Sequence, residues 1–313
     1  MNFYPEGRLI DTPENQNAFI SEANLADACQ SGKILEARAV MCDSKHNLVV
    51  DLLCMKGIIP REEGALGIKE GTMRDIAILS RVNHPVCFVI KEFIRTEKGE
   101  AMAILSRREV QQKCKDEYIS QLALGDVIDA KVTHLEAFGV FADIGCGIVA
   151  LLPIDSISVS RIEHPSERFL PGMYFKAIVK SSEKGRITLS HKELLGTWKE
   201  NAEHFSAGET VSGIVRSVES YGIFVELTPN LAGLAELKAG VVPGQRATVF
   251  IKSILPSKMK IKLIIIETLE AETQKPHMPQ YFFLDQHIDK FTYSPPECEK
   301  EIFTDFTESF AKI

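Results

Sequence analysis

The sequence lacks the cysteine pairs that mark zinc sites and disulfide frameworks. Its seven cysteines are scattered, and no two of them have Cys-x-x-Cys spacing. We therefore expect reduced thiols in a cytosolic protein, because disulfides persist mainly in oxidising compartments. No run of 18 or more apolar residues occurs, so we predict no membrane span. The first six residues also lack the basic region and apolar core of a secretory signal.

The sequence also lacks the short motifs of common catalytic sites. It contains no GxxxxGK[ST] phosphate loop, no GxGxxG after a predicted strand, no HExxH and no GxSxG. Acidic residues and histidines are present, but their spacing does not group them into a constellation for acid–base chemistry or metal binding. We therefore predict a protein that is not an enzyme and that needs no cofactor and no metal.

Excess positive charge is missing too. The net charge is −7, but residues 1–31 carry −4 and residues 269–313 carry −5, which leaves +2 for residues 32–268. A body so close to neutral excludes a strong electrostatic binder of duplex DNA, since phosphate neutralisation dominates that affinity. Binding of single strands stays open, because base stacking supplies part of its energy.

A short aromatic phrase occurs twice, 83 residues apart. Phe138-Gly139-Val140-Phe141 returns as Tyr221-Gly222-Ile223-Phe224, and each copy follows a glycine 13 residues upstream, Gly125 or Gly208. Two aromatic rings beside a glycine place flat faces next to bare backbone. This arrangement suits the stacking of nucleic-acid bases, which tolerates sequence variation because every base has a face.

Each copy lies in a longer repeat with about five short strands. A Pro-Gly pair follows in both copies, at Pro171-Gly172 and Pro243-Gly244, and the units close on Arg186–Ser190 and Lys260–Ile264. Val, Ile, Phe and Thr enrich the strand segments, and Gly, Pro, Asn and Ser bound them. Five strands in 60–70 residues predict a small closed barrel, because closure removes the edge strands.

A third, weaker copy lies upstream, where His46-Asn47-Leu48-Val49 replaces the aromatic phrase. We predict an all-β protein with connecting helices, in which three tandem barrels precede an aromatic, acidic C-terminal tail. The predicted segments are an acidic N-terminal extension, the first barrel, a helical linker, the second barrel, a helical linker, the third barrel and the tail: 1–31, 32–109, 110–124, 125–193, 194–207, 208–268 and 269–313.

The combined pattern resembles the RNA-binding barrel of the ribosomal protein S-one family. The pattern reads Gly-x(5–6)-Val, aromatic-Gly-x-Phe, Gly-Leu, Pro-Gly and Arg-Ile-x-Leu-Ser. Residues 125–193 match it well, residues 208–266 keep its first half, and residues 32–109 match in outline. The resemblance implies an oligonucleotide/oligosaccharide-binding (OB) fold in each barrel. It also implies a bacterial, cytoplasmic protein that binds single-stranded RNA, most of all mRNA at the small ribosomal subunit, and acts in translation.

The resemblance further implies which side chains contact RNA. Aromatic residues of the second and third strands stack on bases in this family, and nearby basic residues contact phosphates. By position, the implied residues are Phe138, Phe141, Arg186, Lys131 and His134 in the second barrel, and Tyr221, Phe224, Lys260 and Arg216 in the third. Many family members have a histidine where this chain has Pro60, Pro153 and Glu236, so one RNA-contacting group is missing from every barrel.

The tail leaves two interpretations open. Residues 275–313 hold eight of the 24 aromatic residues, more than a disordered acidic tail usually has. Ile302, Phe303, Phe306 and Phe310 recur at helical spacing and predict an apolar stripe. The tail either covers an incomplete face of the third barrel or docks a protein partner or a second copy of the chain. The alternative function is accordingly an adaptor that binds a protein through its barrels or tail.

Overall fold

The computed structural model describes residues 3–97, 99–183, 185–270, 276 and 278–307. Seventeen strands dominate this part of the chain. They are β1 Leu35–Cys42, β2 Leu48–Asp51, β3 Lys56–Ile59, β4 Pro85–Arg95, β5 Ala101–Ser106, β6 Val127–Glu136, β7 Gly139–Gly145, β8 Ile148–Pro153, β9 Tyr174–Glu183, β10 Arg186–Ser190, β11 Thr210–Glu219, β12 Gly222–Thr228, β13 Leu231–Ala235, β14 Arg246–Leu255, β15 Lys260–Leu269, β16 Lys290–Thr292 and β17 Phe303–Asp305. The α-helices are α1 Pro13–Ala18, α2 Glu22–Gln30, α3 Ile76–Leu79, α4 Arg107–Glu117 and α5 Trp198–Ala202.

Fifteen of these strands form three closed five-stranded barrels with one topology. The strand orders are β1-β2-β3-β5-β4, β9-β6-β7-β8-β10 and β14-β11-β12-β13-β15. In each barrel the third and last strands pair in parallel, and the neighbouring pairs are antiparallel. The three predicted barrels are therefore confirmed. By their internal contacts the residues form two units, Met1–Leu122 with Asp143–Val149, and Ala123–Ala142 with Ala150–Ile313.

The glycines that recur between the second and third barrels have a backbone reason. Gly125 and Gly208 have φ of +90° and +96°, and Gly172 and Gly244 have φ of +86° and +89°. Residues with a Cβ rarely adopt this left-handed region, so glycine is the residue that the turns require. The glycines repeated in the sequence therefore mark two turns that occur in both the second and the third barrel.

The segments between the barrels contain short helices. Helix α4 begins after Ser106, whose side chain accepts from the Glu109 amide, and a 3₁₀ turn over Ile119–Gln121 follows it. The second connection has a 3₁₀ turn at Lys192–Leu195 and then α5, which begins after Thr197 with a capping box. Such caps satisfy amides that the first helical turn leaves without partners.

The described part of the tail packs against the rest of its own unit. Ile288, Phe291, Tyr293 and Phe306 are buried in one apolar core with side chains of the third barrel and α5. The helical stripe predicted around Phe303 is wrong, because residues 303–305 form β17, which pairs with β16. Phe310, the last member of that stripe, lies outside the described residues.

One hydrogen bond tests how much the tail stabilises the third barrel. The buried Tyr293 hydroxyl donates to the carbonyl oxygen of Asn230 at 2.6 Å. We expect Tyr293→Phe to lower the free energy of unfolding by about 1–3 kcal/mol, since a buried carbonyl loses its partner. Urea unfolding measures this, with Tyr221→Phe as a matched control on an exposed tyrosine. An equally stable Tyr293→Phe variant would show that the tail contact is not stabilising.

The buried His191 predicts a loss of stability in acid. Its ring packs against Phe169 and Phe175, and burial lowers its pKa to about 4. In the unfolded chain the pKa is about 6.5, so the unfolded state binds the proton first as the pH falls. The contribution of His191 is complete above pH 6.5 and is lost as the pH falls from 6.5 to 4, by about 3 kcal/mol in total.

Chemical unfolding from pH 4 to pH 8 checks this expectation. The wild-type protein should lose more stability below pH 6.5 than His191→Gln, which does not titrate there. His204→Gln, at an exposed position, should keep the wild-type dependence. If His191→Gln also keeps the wild-type pH dependence of stability, the buried neutral histidine is not the source of that dependence.

Candidate nucleic-acid interface

The glycine of the aromatic phrase allows two strands to approach closely. A Cβ on Gly139 would lie 2.4 Å from the carbonyl oxygen of Leu152 in β8, and one on Gly222 would lie 2.7 Å from that of Ala235 in β13. Any other residue would push the third strand of the barrel away. Because β7 begins at Gly139 and β12 begins at Gly222, Phe138 and Tyr221 lie in the turns before these strands. The alternation of side chains along a strand does not apply to them.

Both aromatic residues of each phrase lie on the outside of their barrel. Phe138 is 56% exposed and Tyr221 is 67% exposed, whereas Phe141 and Phe224 are half-buried. The two rings of a pair meet edge to face, with centroids 5.8 Å apart in the second barrel and 6.1 Å apart in the third. Each barrel thus presents one exposed ring that is supported by a second ring.

A histidine widens the aromatic surface of the second barrel. The His134 ring stacks on Phe141 with centroids 4.4 Å apart and an angle of 13° between the planes. The neighbouring Thr133 donates its hydroxyl to the carbonyl oxygen of Phe141 at 2.9 Å, which fixes β6 against β7. His134, Phe141 and Phe138 thus form a surface of three rings. Ser217 lies opposite Phe224 in the third barrel, so that surface has two rings.

The predicted basic residues of the second barrel are placed at two points. The Lys131 ammonium lies over the Tyr174 ring, 5.1 Å from its centroid. Arg186 is exposed at the start of β10, and its register partner on β9 is Glu183. Lys131 is therefore next to an aromatic ring of the protein, and Arg186 is next to a carboxylate in register.

The third barrel carries a basic residue that the sequence did not single out. Phe224 lies opposite Leu234, and Leu234 lies opposite Lys262, so one row crosses β12, β13 and β15. Lys262 is exposed, like the predicted Lys260, and Ile261 between them is buried. The alternation Lys-Ile-Lys was the signal for two outward lysines. Thr188 occupies the matching position of the second barrel, opposite Leu151.

Arg216 is held in ion pairs within the protein. Its side chain is 9% exposed, and its guanidinium pairs with Glu167 and, at 2.7 Å, with Glu226. Arg168 pairs with the same Glu226 at 2.6 Å. Arg216 sits in a bulge of β11 between Val215 and Ser217, which turns it out of the regular alternation. The charge of Arg216 is therefore already paired inside the protein, and its contact with RNA stays a prediction.

The first barrel has different side chains in the row that matches the row of Phe224, Leu234 and Lys262 in the third barrel. Val49, Ile58, Ile104 and Glu92 follow one another across β2, β3, β5 and β4. Three aliphatic side chains and a carboxylate thus replace the aromatic and basic groups. The surface offers no ring for a base at these positions, and Glu92 repels phosphate. The missing phrase in the sequence therefore corresponds to a chemically different surface.

The chain is similar in sequence to known proteins. The family model for the S1 RNA binding domain matches residues 121–192, which span the second barrel. The chain is also 34% identical over 270 residues to the small ribosomal subunit protein bS1 of Staphylococcus aureus, a match that covers 80% of this chain and 66% of that protein. This chain belongs to the S1 family. The bS1 protein of Leuconostoc lactis is 27% identical over 83% of this chain and 59% of its own length.

This S1-family chain spans between about two fifths and two thirds of the length of the first curated relatives. A solved multidomain protein with nucleic acid binding domains from Streptococcus pneumoniae covers 75% of the chain at 13% identity. Its TM-score is 0.25. Among the described residues, no three His, Cys, Asp or Glu side chains are placed to hold a metal ion. No helix in that part of the chain is long and apolar enough to cross a membrane.

Proposed function

We propose that this protein binds single-stranded RNA along its second and third barrels. The observation that carries the proposal is the exposed ring, backed by a second ring, at matching positions of the two barrels: Phe138 on Phe141 and Tyr221 on Phe224. His134 extends the aromatic surface of the second barrel. Lys260 and Lys262 add positive charge near that of the third barrel. Arg186 and Lys131 supply the charge of the second barrel.

The energetics favour two moderate sites rather than one strong site. Stacking of a base on an aromatic ring contributes about 1–3 kcal/mol. One chain that carries both surfaces makes the second contact intramolecular, which raises its effective concentration. The near-neutral body adds a modest electrostatic contribution. The aromatic surfaces therefore account for most of the proposed affinity.

The proposed setting is translation at the small ribosomal subunit, in the cytoplasm. Its support is the name of the curated relatives, small ribosomal subunit protein bS1. The proposed role is not enzymatic: the chain holds mRNA and the chemistry of translation occurs elsewhere. Co-sedimentation of the full chain with small subunits tests this setting separately from RNA binding.

Titration of a fluorescent single-stranded RNA at several salt concentrations tests the RNA proposal. We expect tighter binding to the single strand than to a duplex of the same sequence, because paired bases are not free to stack. The salt dependence should be shallow, since few phosphates are neutralised. No binding at low salt, or equal binding to the duplex, would exclude the proposal.

The first barrel supports a second candidate function, the binding of a protein. Its outer surface carries the exposed apolar side chains Met41 and Phe93 near the row of Val49, Ile58 and Ile104. A pull-down of the full chain from bacterial extract, with and without RNase, separates the two functions. A protein that stays bound after RNase supports this candidate, and one that is released was held through RNA.

A further inference from the structure

A cavity of about 630 Å³ lies within the second unit, and Arg216 is the one residue predicted to contact RNA that lines it. Its walls come from residues 161–169 and His191 of the second barrel, residues 214–216 and 243–246 of the third barrel, and residues 276 and 278–280 of the tail. A volume of this size falls within the range of about 300–1,000 Å³ that holds small-molecule ligands. The cavity is therefore large enough for one mononucleotide.

Arginine is the dominant charged residue of the cavity wall. Four arginines line it, together with two glutamates, and Glu226 reaches two of these arginines. Arg168 and Arg216 are held by Glu226 and Glu167. Arg161 and Arg246 have no carboxylate partner in the described ranges of the chain, and Arg246 contacts only the Ser212 hydroxyl, at 3.5 Å. Two guanidinium groups are thus available to an anion.

Two buried polar atoms of the wall lack partners. The Arg168 Nε and the His191 Nε2 are both buried, and neither has a hydrogen-bond partner among the described residues. The His191 Nδ1 lies 3.0 Å from the carbonyl oxygen of Ile157, so Nδ1 carries the proton and donates it. Nε2 is then an acceptor and Arg168 Nε is a donor. Leaving such groups unpaired is costly, which favours a polar ligand.

Apolar side chains also line the cavity. Phe169, Leu195, Ile214 and Pro243 line it between the charged groups. A cavity with apolar walls and a few placed polar groups suits a ligand that has a flat apolar part and an anionic part. Guanidinium groups match the geometry of phosphate oxygens, because their donors form a planar fork.

We propose that this cavity binds a nucleoside phosphate, with its phosphate at Arg161 and Arg246 and its base between the apolar side chains. The His191 Nε2 accepts a hydrogen bond from a hydroxyl or amino group of the ligand. The ligand is either a free nucleotide or the phosphorylated end of an RNA. The proposal does not depend on the aromatic surfaces, because none of their residues lines the cavity.

Calorimetric titration of the full chain with AMP tests the proposal. We expect saturable binding with one site per chain, and at least tenfold weaker binding of adenosine, which lacks the phosphate. Arg161→Gln and Arg246→Gln should each weaken AMP binding at least fivefold, and the double variant should abolish it. Arg74→Gln, at an exposed position of the first unit, is the control and should bind AMP like the wild type.

Competition identifies the source of the ligand. If a 5′-phosphorylated oligonucleotide displaces AMP and its 5′-hydroxyl form does not, the cavity takes an RNA end. If neither displaces AMP, it takes a free nucleotide. The Phe138→Ala/Tyr221→Ala variant should still bind AMP, which separates this site from RNA stacking. No saturable AMP binding up to millimolar concentration, or unchanged binding by the Arg161→Gln/Arg246→Gln variant, would overturn the proposal.

Discussion

Replacing Phe138 and Tyr221 together by alanine is expected to weaken single-stranded RNA binding by about 30-fold to 10⁴-fold, since each lost stack costs about 1–3 kcal/mol. Each single variant should lose about 5-fold to 150-fold. The two residues belong to different barrels and share no contact partner, so their effects on the free energy of binding should add. Titration with a fluorescent RNA at constant salt measures all three variants.

Two variants serve as matched controls for this expectation. Phe93→Ala removes an exposed phenylalanine from the first barrel, where the matching row consists of three aliphatic side chains and Glu92. Tyr221→Phe removes a hydroxyl but keeps the ring. Both should bind RNA like the wild type, and circular dichroism should show that every variant is folded. Wild-type affinity in the double alanine variant would contradict stacking as the basis of binding.

Replacing Arg107 by methionine is expected to destabilise the first unit by about 3–5 kcal/mol, because it removes the two-pronged partner of the buried Glu6 carboxylate and leaves it only the more distant guanidinium of Arg81, at 3.7 Å. Arg107 donates from Nε and Nη2 to the two oxygens of Glu6, at 2.6 and 2.9 Å, and both side chains are buried. Burial alone would raise the pKa of Glu6, and the Arg107 guanidinium holds it below its usual value. Arg107 also donates to the carbonyl oxygen of Gly64 at 3.1 Å.

The next residue of α4 provides the control. Arg108 pairs with Glu70 at 2.5 Å, but both side chains are partly exposed to solvent. Arg108→Met should therefore cost only about 0–1 kcal/mol, as exposed ion pairs usually do. Denaturant unfolding compares the two variants, and hydrogen exchange of α4 amides reports on the first unit itself. Equal stability of the Arg107→Met and Arg108→Met variants would show that the buried pair adds nothing beyond an exposed one.

The three barrels could be predicted from the sequence because the repeat reports requirements of the backbone. Gly125 and Gly208 recur where φ is positive, and Gly139 and Gly222 recur where a Cβ would meet a carbonyl oxygen. Enrichment in Val, Ile, Phe and Thr indicated the strands between them. These are local constraints, so the second and third barrels each display them in their own residues, and the first barrel was predicted from a weaker match.

Features that depend on the neighbourhood of a residue were missed. The ion pair of Arg216 with Glu167, which lies 49 positions away in the chain, was not predicted, whereas contact of Arg216 with RNA stays a prediction. Lys262 lies in the same row as Phe224 because of the register of β15 against β13. Phe303 has helical spacing with its neighbours, yet pairing with β16 makes it part of a strand. In each case the contact is made with another segment of the chain, which a local sequence pattern does not report.

Photocrosslinking of the full chain to single-stranded RNA, followed by mass spectrometry of the peptides, tests the central claim most directly. The claim is that bases stack on the outer aromatic residues of the second and third barrels. We expect crosslinks at Phe138 and Tyr221, with further crosslinks at the supporting residues His134, Phe141 and Phe224. Crosslinks confined to the first barrel or to residues 281–307 would contradict it.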